Sequence, residues 1–297
     1  MTDDILTLVS SYDRLFDKSS SGQYYLSIRI DPDGLSFSVY SPVTGKYLGL
    51  ESVRFPAAFS STGSSYARKI FSEKLDSYLL NHPWLGNDFK ACCVIMHSNQ
   101  YTLIPAPLYN PENKQDYLGF VHSPAEGSLF ADQKLVSVDS WIVYAADPLI
   151  YALPGKYFPA AKRYHHAGAL LETIIPEYRN AELQDPVFVN VKKDSVDIIV
   201  LKEGRLRYCN SFRWKVADDL VYFLIFVMDQ LALNPEKIPV FLMGMIEPDD
   251  NLHELMLKYI RNIGFLKPFE DERTGFMIPQ ALICKFYDLL NPGLCGS

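Results

Sequence analysis

Residues 187–214 read VFVNVKKDSVDIIVLKEGRLRYCNSFRW. Val187–Val191 and Val196–Leu201 are apolar and rich in β-branched residues, and Leu206–Phe212 alternates apolar with polar. Polar turns, Lys192–Asp194 and then Lys202-Glu203-Gly204, separate the three runs. Such runs between tight turns predict a three-strand meander. Val216–Ala232 follows as a helix, with Asp218 or Asp219 as its cap and Asn234-Pro235 as its stop. Val240–Met243 is then a buried strand that ends on Gly244. The unit reads strand, strand, strand, helix, strand.

The same order occurs earlier in the chain. Tyr24–Ile30 alternates, Asp31-Pro32-Asp33-Gly34 turns, and Leu35–Tyr40 alternates back, which predicts a hairpin. Tyr47–Phe55 supplies a third strand. A Ser/Gly-rich loop at 60–65 leads into a helix over Tyr66–Leu80, with an apolar stripe of Ile70, Leu75, Tyr78 and Leu79. Ala91–Met96 is the buried strand after it. The halves share pattern and no evident residue identity, and a unit met twice predicts a duplicated α/β fold. We expect an N-terminal lobe over 1–180, carrying an insertion near 98–139, and a C-terminal lobe over 181–297.

The connecting segments are read the same way. Tyr101–Pro105 is an edge strand, Asn110–Phe120 a short helix opening at Pro111, and Lys134–Tyr144 a strand. A helix starts at Asp147-Pro148 and is broken by Pro154-Gly155, and Ala160–Tyr178 is a longer helix. The first twenty residues are expected as a helix or arm, because Ile5, Leu8, Val9, Tyr12 and Phe16 fall near helical spacing. Gly293–Ser297 is expected as a loose tail.

Composition narrows the function. A chain of 297 residues with 48% hydrophobic content is long enough for one large domain or two ordinary ones. A net charge of −7 argues against a general nucleic-acid binder. The longest apolar run, Leu220–Met228, is far short of the roughly 18 residues a transmembrane helix needs, and the first residues carry acids rather than a basic leader. The expected location is the cytoplasm. Cys92, Cys93, Cys209, Cys284 and Cys295 are odd in number with no Cys-x-x-Cys pair, so they are expected as reduced, mostly buried thiols.

The duplicated unit resembles the core of the actin-like ATPase superfold, which is ribonuclease-H-like. The resemblance implies two lobes, each closed by a crossing helix, here Ala160–Tyr178 and Pro279–Leu290. It also implies an Asp-x-Gly turn in each half, where backbone amides approach phosphate and metal. In the first half the acid is Asp31, but Pro32 has no amide hydrogen and Gly34 comes one position late. In the second half the acid is Asn190 and a lysine, Lys192, replaces the glycine, with Asp197 downstream. The adenine-side glycine pair is reduced to Gly244. The nucleotide site is therefore expected to be degenerate.

With Lys202-Glu203-Gly204-Arg205 and Asp218-Asp219-Leu220, the second half resembles the cytoplasmic actin-like proteins of type IV pilus assembly and of type II secretion platforms. Within that group the chain is most similar to an uncharacterised bacterial family known as a domain of unknown function. The pilus and secretion proteins hold partner proteins, which implies a scaffold role.

Other chemistry is poorly represented. His165-His166 lie about 100° apart on a helix and do not converge on one ion, so a surface or interlobe pair is expected. His253-Glu254 lacks the second zinc ligand, since position 257 is Leu. Asp31 and Asp33 are ordinary turn formers. Arg205, Arg207 and Arg213 share one strand face unless a bulge intervenes, and with Lys192 and Lys193 they are candidates to hold a partner's anionic segment or a phosphate. The competing reading is a solvated edge whose charges deter strand pairing. Tyr101, Tyr109 and Tyr117 are candidates for an exposed protein-binding surface.

The expected function is a non-catalytic cytoplasmic interaction or regulatory module with an unidentified protein partner, without cofactor or metal. The alternative is an ATPase or sugar-kinase-like phosphotransferase using ATP with magnesium, with Asp31, Gly34, Asn190, Asp197 and Gly244 around one nucleotide. A nuclease using Asp31 and Asp197 to hold a metal is a further alternative.

Overall fold

The structure, a computed structural model, describes residues 5–56, 64–181, 183–266 and 278–296; the loop at 60–65 lies outside them except at Ser64 and Ser65. The chain divides into two compact units, one built on residues 5–169 and 288–296, the other on 170–266 and 279–287.

In the first unit the predicted hairpin is β2 (Tyr25–Asp31) and β3 (Gly34–Ser41), flanked by β4 (Lys46–Arg54). Helix α1 (Ser65–Asn81), capped by the Ser64 hydroxyl, leads to β5 (Ala91–Met96), which runs parallel to β2. One sheet face buries Leu26, Ile28, Phe37 and Val94 against Phe71 and Leu75 of α1. The opposite face carries Ser27, Ser36, Ser38 and Ser52, all buried. These small side chains let residues 288–296 lie close to the strands. Ser38 donates to the Leu289 carbonyl at 2.8 Å and Tyr164 to that of Leu294 at 2.9 Å. The expected loose tail is instead a docked helical turn, Gly293–Gly296, with Leu294 and Cys295 buried.

Four further expectations are corrected. Residues 6–12 form not a helix but an edge strand, β1 (Leu6–Tyr12), antiparallel to β4. It is held by Glu51, whose carboxylate accepts from the hydroxyls of Tyr12 and Tyr78, each at 2.5 Å. Lys134–Tyr144 is two strands. After β6 (Tyr101–Pro105) and α2 (Lys114–Gly119), β7 (Leu129–Leu135) and β8 (Ser140–Ala146) turn about Asp139, whose φ is 47°, and the three strands form a small sheet ordered β6-β8-β7. After α3 (Pro148–Tyr157), which Pro154 does not break, residues 162–165 form β9 (Lys162–His165). Helix α4 (His166–Tyr178) begins only then.

His165 and His166 are consequently buried, not at a surface. Nδ1 of His165 accepts from the Ala167 amide at 3.2 Å, and its Nε2 lies 2.8 Å from the Ser98 carbonyl oxygen, which fixes the Nε2–H tautomer.

The second unit repeats the plan. Strands β10 (Val187–Val191), β11 (Ser195–Lys202) and β12 (Arg205–Arg213) form the meander, followed by α5 (Ala217–Gln230) and β13 (Val240–Gly244). The Asp219 carboxylate accepts from the amides of Lys215 and Val216, at 2.9 and 3.2 Å, and so fixes the start of α5. Leu220, Leu224, Val227 and Met228 point from α5 into the core. Each such side chain contributes about 1.5–3 kcal/mol of burial. After α6 (Asn251–Leu257), β14 (Ile263–Phe265) completes the sheet order β12-β11-β10-β13-β14. The first unit's sheet has the corresponding order β4-β3-β2-β5-β9, with β1 added at its edge. The duplication is one of topology. A last helix, α7 (Gln280–Lys285), covers part of the region of the expected second crossing helix. No helix among the described residues is long and apolar enough to cross a membrane.

Candidate functional site

In the first unit, β2 ends on Asp31 and β3 starts at Gly34, with Pro32 and Asp33 between. The Asp31 carboxylate lies 2.9 Å from Nε of Arg29, two residues back on the same strand face. Nη1 of the same guanidinium lies 2.6 Å from Oδ1 of Asp288. Burial alone would push the Arg29 pKa down, but the charges of Asp288 and Asp31 reverse this and hold it above its ordinary value. Asp33 pairs with Arg54 at 3.0 Å, and its carbonyl accepts from the Phe55 amide at 2.8 Å. Gly34 has a packing reason: a Cβ there would stand 2.1 Å from the Val53 carbonyl oxygen. Both acids of this turn are ion-paired within the unit.

In the second unit the directly opposed residues Met243, Asn190, Asp197 and Ser211 form a row across four strands. Asp197 is fully buried. Its carboxylate accepts from Nδ2 of Asn190 at 2.9 Å and from the Ser211 hydroxyl at 2.5 Å, and it lies 2.8 Å from Nζ of Lys192. The lysine in the glycine's place therefore turns back onto the downstream acid. Gly244 closes the group. Its φ is +88°, and a Cβ would fall 2.1 Å from the Val191 carbonyl and 2.6 Å from Oδ1 of Asn190. That approach lets the Met245 amide donate to Val191 at 2.7 Å. Gly244→Ala combines a left-handed backbone with overpacking and should cost about 2–4 kcal/mol in urea unfolding.

The structure thus brings Asn190, Lys192, Asp197 and Gly244 together in one unit, and Asp31 with Gly34 in the other. Lys193 is exposed at the β10–β11 turn, and Arg205 and Arg207 are exposed on β12, which is an open edge. The single arginine face is not formed. The register shifts between Val200 and Leu201, leaving Arg207 as an extra residue. Arg205 then opposes Lys202 while Arg213 opposes Ser195, so these two arginines point to opposite faces.

Two residues essential to this arrangement carried no local signal. Asp288 stands 259 positions from Arg29, and Ser211 is an ordinary strand serine. The expected tyrosine surface is also absent as drawn: Tyr101 is buried, and Tyr109 stacks on Trp141 with ring centroids 4.3 Å apart. Among the described residues no group of three or more His, Cys, Asp or Glu is placed to hold a metal ion.

Solved structures share this fold. A Bacteroides thetaiotaomicron protein with an actin-like ATPase fold and unknown function is 24% identical, at a TM-score of 0.77 over 93% of this chain and 98% of that one. The PilM–PilN type IV pilus biogenesis complex aligns at a TM-score of 0.52 and 13% identity over 90% of this chain and 96% of that one. No curated protein matches. The fold is actin-like, and the chain, matched over residues 13–263, belongs to the protein family of unknown function DUF3822.

Proposed function

We propose that this chain is a non-catalytic actin-like protein, serving as a cytoplasmic protein-interaction or regulatory module with a degenerate nucleotide site. The observation that carries this reading is that Asp31 and Asp197 are each bound by a cation of their own unit, Arg29 and Lys192. A carboxylate that is to hold a hydrated magnesium ion must be available to the ion or its waters. Releasing Asp197 from three donors, or Asp31 from a mostly buried guanidinium, opposes that use. Pro32 offers no amide to a phosphate.

A partner protein suits a neighbour that was solved in a complex. We assign the contact to the edge of β12, where Arg205 and Arg207 would receive an acidic extended segment; Lys193 lies at the other end of that strand, by Arg213. Lys192 is committed to Asp197 and is left out of that surface. Five free cysteines suit a reducing compartment.

Calorimetric titration with ATP and magnesium, paired with thermal melts, tests the degenerate site. We expect neither heat nor a shift. Nucleotide at about a hundred times its dissociation constant would add about 2.7 kcal/mol, a rise of several degrees, and seeing it would overturn the reading. For the edge, Arg205→Glu with Arg207→Glu should abolish partner capture; unchanged capture would leave β12 a solvated edge.

A further inference from the structure

The serine-lined face of the first unit's sheet holds a pair of thiols for which the proposed function has no use. Cys93 on β5 and Ser27 on β2 are directly opposed, and the docked turn brings Cys295 onto them. The Cys93 thiol donates to the Ser27 hydroxyl at 3.4 Å, and that hydroxyl lies 3.4 Å from the Cys295 sulfur, so one oxygen bridges the two thiols. Cys295 lines a cavity of about 540 Å³ together with Lys90, Lys156 and Lys162. Lys162 opposes Cys93 in the parallel β5–β9 pair and so lies on the same face. Cys92, the neighbour in sequence, packs against the other face and also lines the cavity, but burial pushes its thiol well up and so disfavours its thiolate.

We propose that Cys295 and Cys93 are a peroxide-reactive dithiol, with Cys295 as the attacking sulfur and Cys93 as the resolving one. The Cys295 thiolate attacks the O–O bond of a small hydroperoxide. It becomes a sulfenic acid, and the departing alkoxide or hydroxide takes up a proton. The Cys93 thiol then attacks that sulfur, forming the disulfide and releasing water. Two thiols and one hydroperoxide thus give a disulfide, an alcohol (or water) and a water.

The surroundings favour these roles. The adjoining Cys93 thiol, reinforced by the Ser27 hydroxyl and by the charge of Lys162, holds the Cys295 thiol below its ordinary value despite burial. The adjoining Cys295 sulfur, together with burial, pushes Cys93 well up. The Leu26 carbonyl, 3.5 Å from the Cys295 sulfur, is the contact that favours the neutral thiol. The cavity gives a small oxidant a route to a sulfur that is otherwise buried. The disulfide would fasten residues 288–296 to β5, turning a hydrogen-bonded segment into a covalent one.

The test uses the intact wild-type protein and hydrogen peroxide. Peptide mapping after alkylation should show a Cys93–Cys295 disulfide, with Cys92, Cys209 and Cys284 still alkylated, and a melting temperature raised by several degrees. Cys93→Ser should stop the reaction at a sulfenic acid on Cys295, trapped by dimedone. Cys92→Ser should change nothing. Oxidation falling first on Cys209, or oxidised Cys295 without linkage to Cys93 in the wild type, would overturn the proposal; both are read on unmutated protein, so no folding defect confuses them.

Discussion

Replacing Arg29 by methionine should lower unfolding free energy at pH 7 by about 3–5 kcal/mol, the usual cost of leaving buried charge without its partner. The guanidinium joins Asp288 at 2.6 Å to Asp31 at 2.9 Å, and the Asp288 side chain is only 7% exposed. Methionine fills most of the same volume but leaves two carboxylates facing one site. Relative to a total stability of about 5–15 kcal/mol this is a large fraction. The loss should be smaller at pH 4 than at pH 7. Stranded carboxylates bind protons more avidly folded than unfolded, so the variant gains stability as the pH falls. Urea unfolding at both values checks magnitude and sign together. A loss under about 1 kcal/mol, the range of exposed pairs, would mean that Asp31 is not sealed.

Asp197→Ala should be comparably damaging, again about 3–5 kcal/mol, because it strands the Lys192 ammonium and the donors of Asn190 and Ser211. The informative comparison is the double variant Lys192→Met with Asp197→Leu. Removing both charges at once should recover most of the loss, since a buried pair replaced by apolar groups of similar size is often close to neutral. A double variant as unstable as the single one would assign the stabilisation to the Asn190 and Ser211 bonds rather than to the ion pair. Denaturant midpoints of the three proteins decide it.

Most of the fold was legible because its strands are short, β-branched and bounded by turn residues. Val187–Val191, Ala91–Met96 and Tyr101–Pro105 come out with the bounds expected of them. The errors have physical causes. β1 is an edge strand with a largely exposed surface, so its few apolar residues fitted helical spacing equally well. β9 has only four residues and runs into α4 without a breaker, which disguised it as the helix's first turn. The polar residues Asp132 and Lys134 hid β7.

At the candidate site the residues were legible and their partners were not. Asp31, Asn190, Asp197 and Gly244 follow from turn positions. That Asp31 is held by Arg29 and Asp288, or that Lys192 folds back on Asp197, depends on which strands become neighbours. The bulge that separates Arg205 from Arg213 likewise arises from pairing with β11 and leaves no trace within residues 205–213.

The docked segment 288–296 also bears on synthesis. The strands that carry Ser27, Arg29 and Ser38 leave the ribosome early, but Asp288 and Leu289 are made some 250 residues later, 259 positions separating Arg29 from Asp288. At about 5–20 residues per second the nascent first sheet waits roughly 13–50 s with one face uncovered. That face sets Ser27, Ser36, Ser38 and Ser52 beside Leu50 and Ile95, so only part of it is apolar. The serines break up the apolar area that waits uncovered, which weakens the drive of the unfinished domain to aggregate before the residues that complete it arrive.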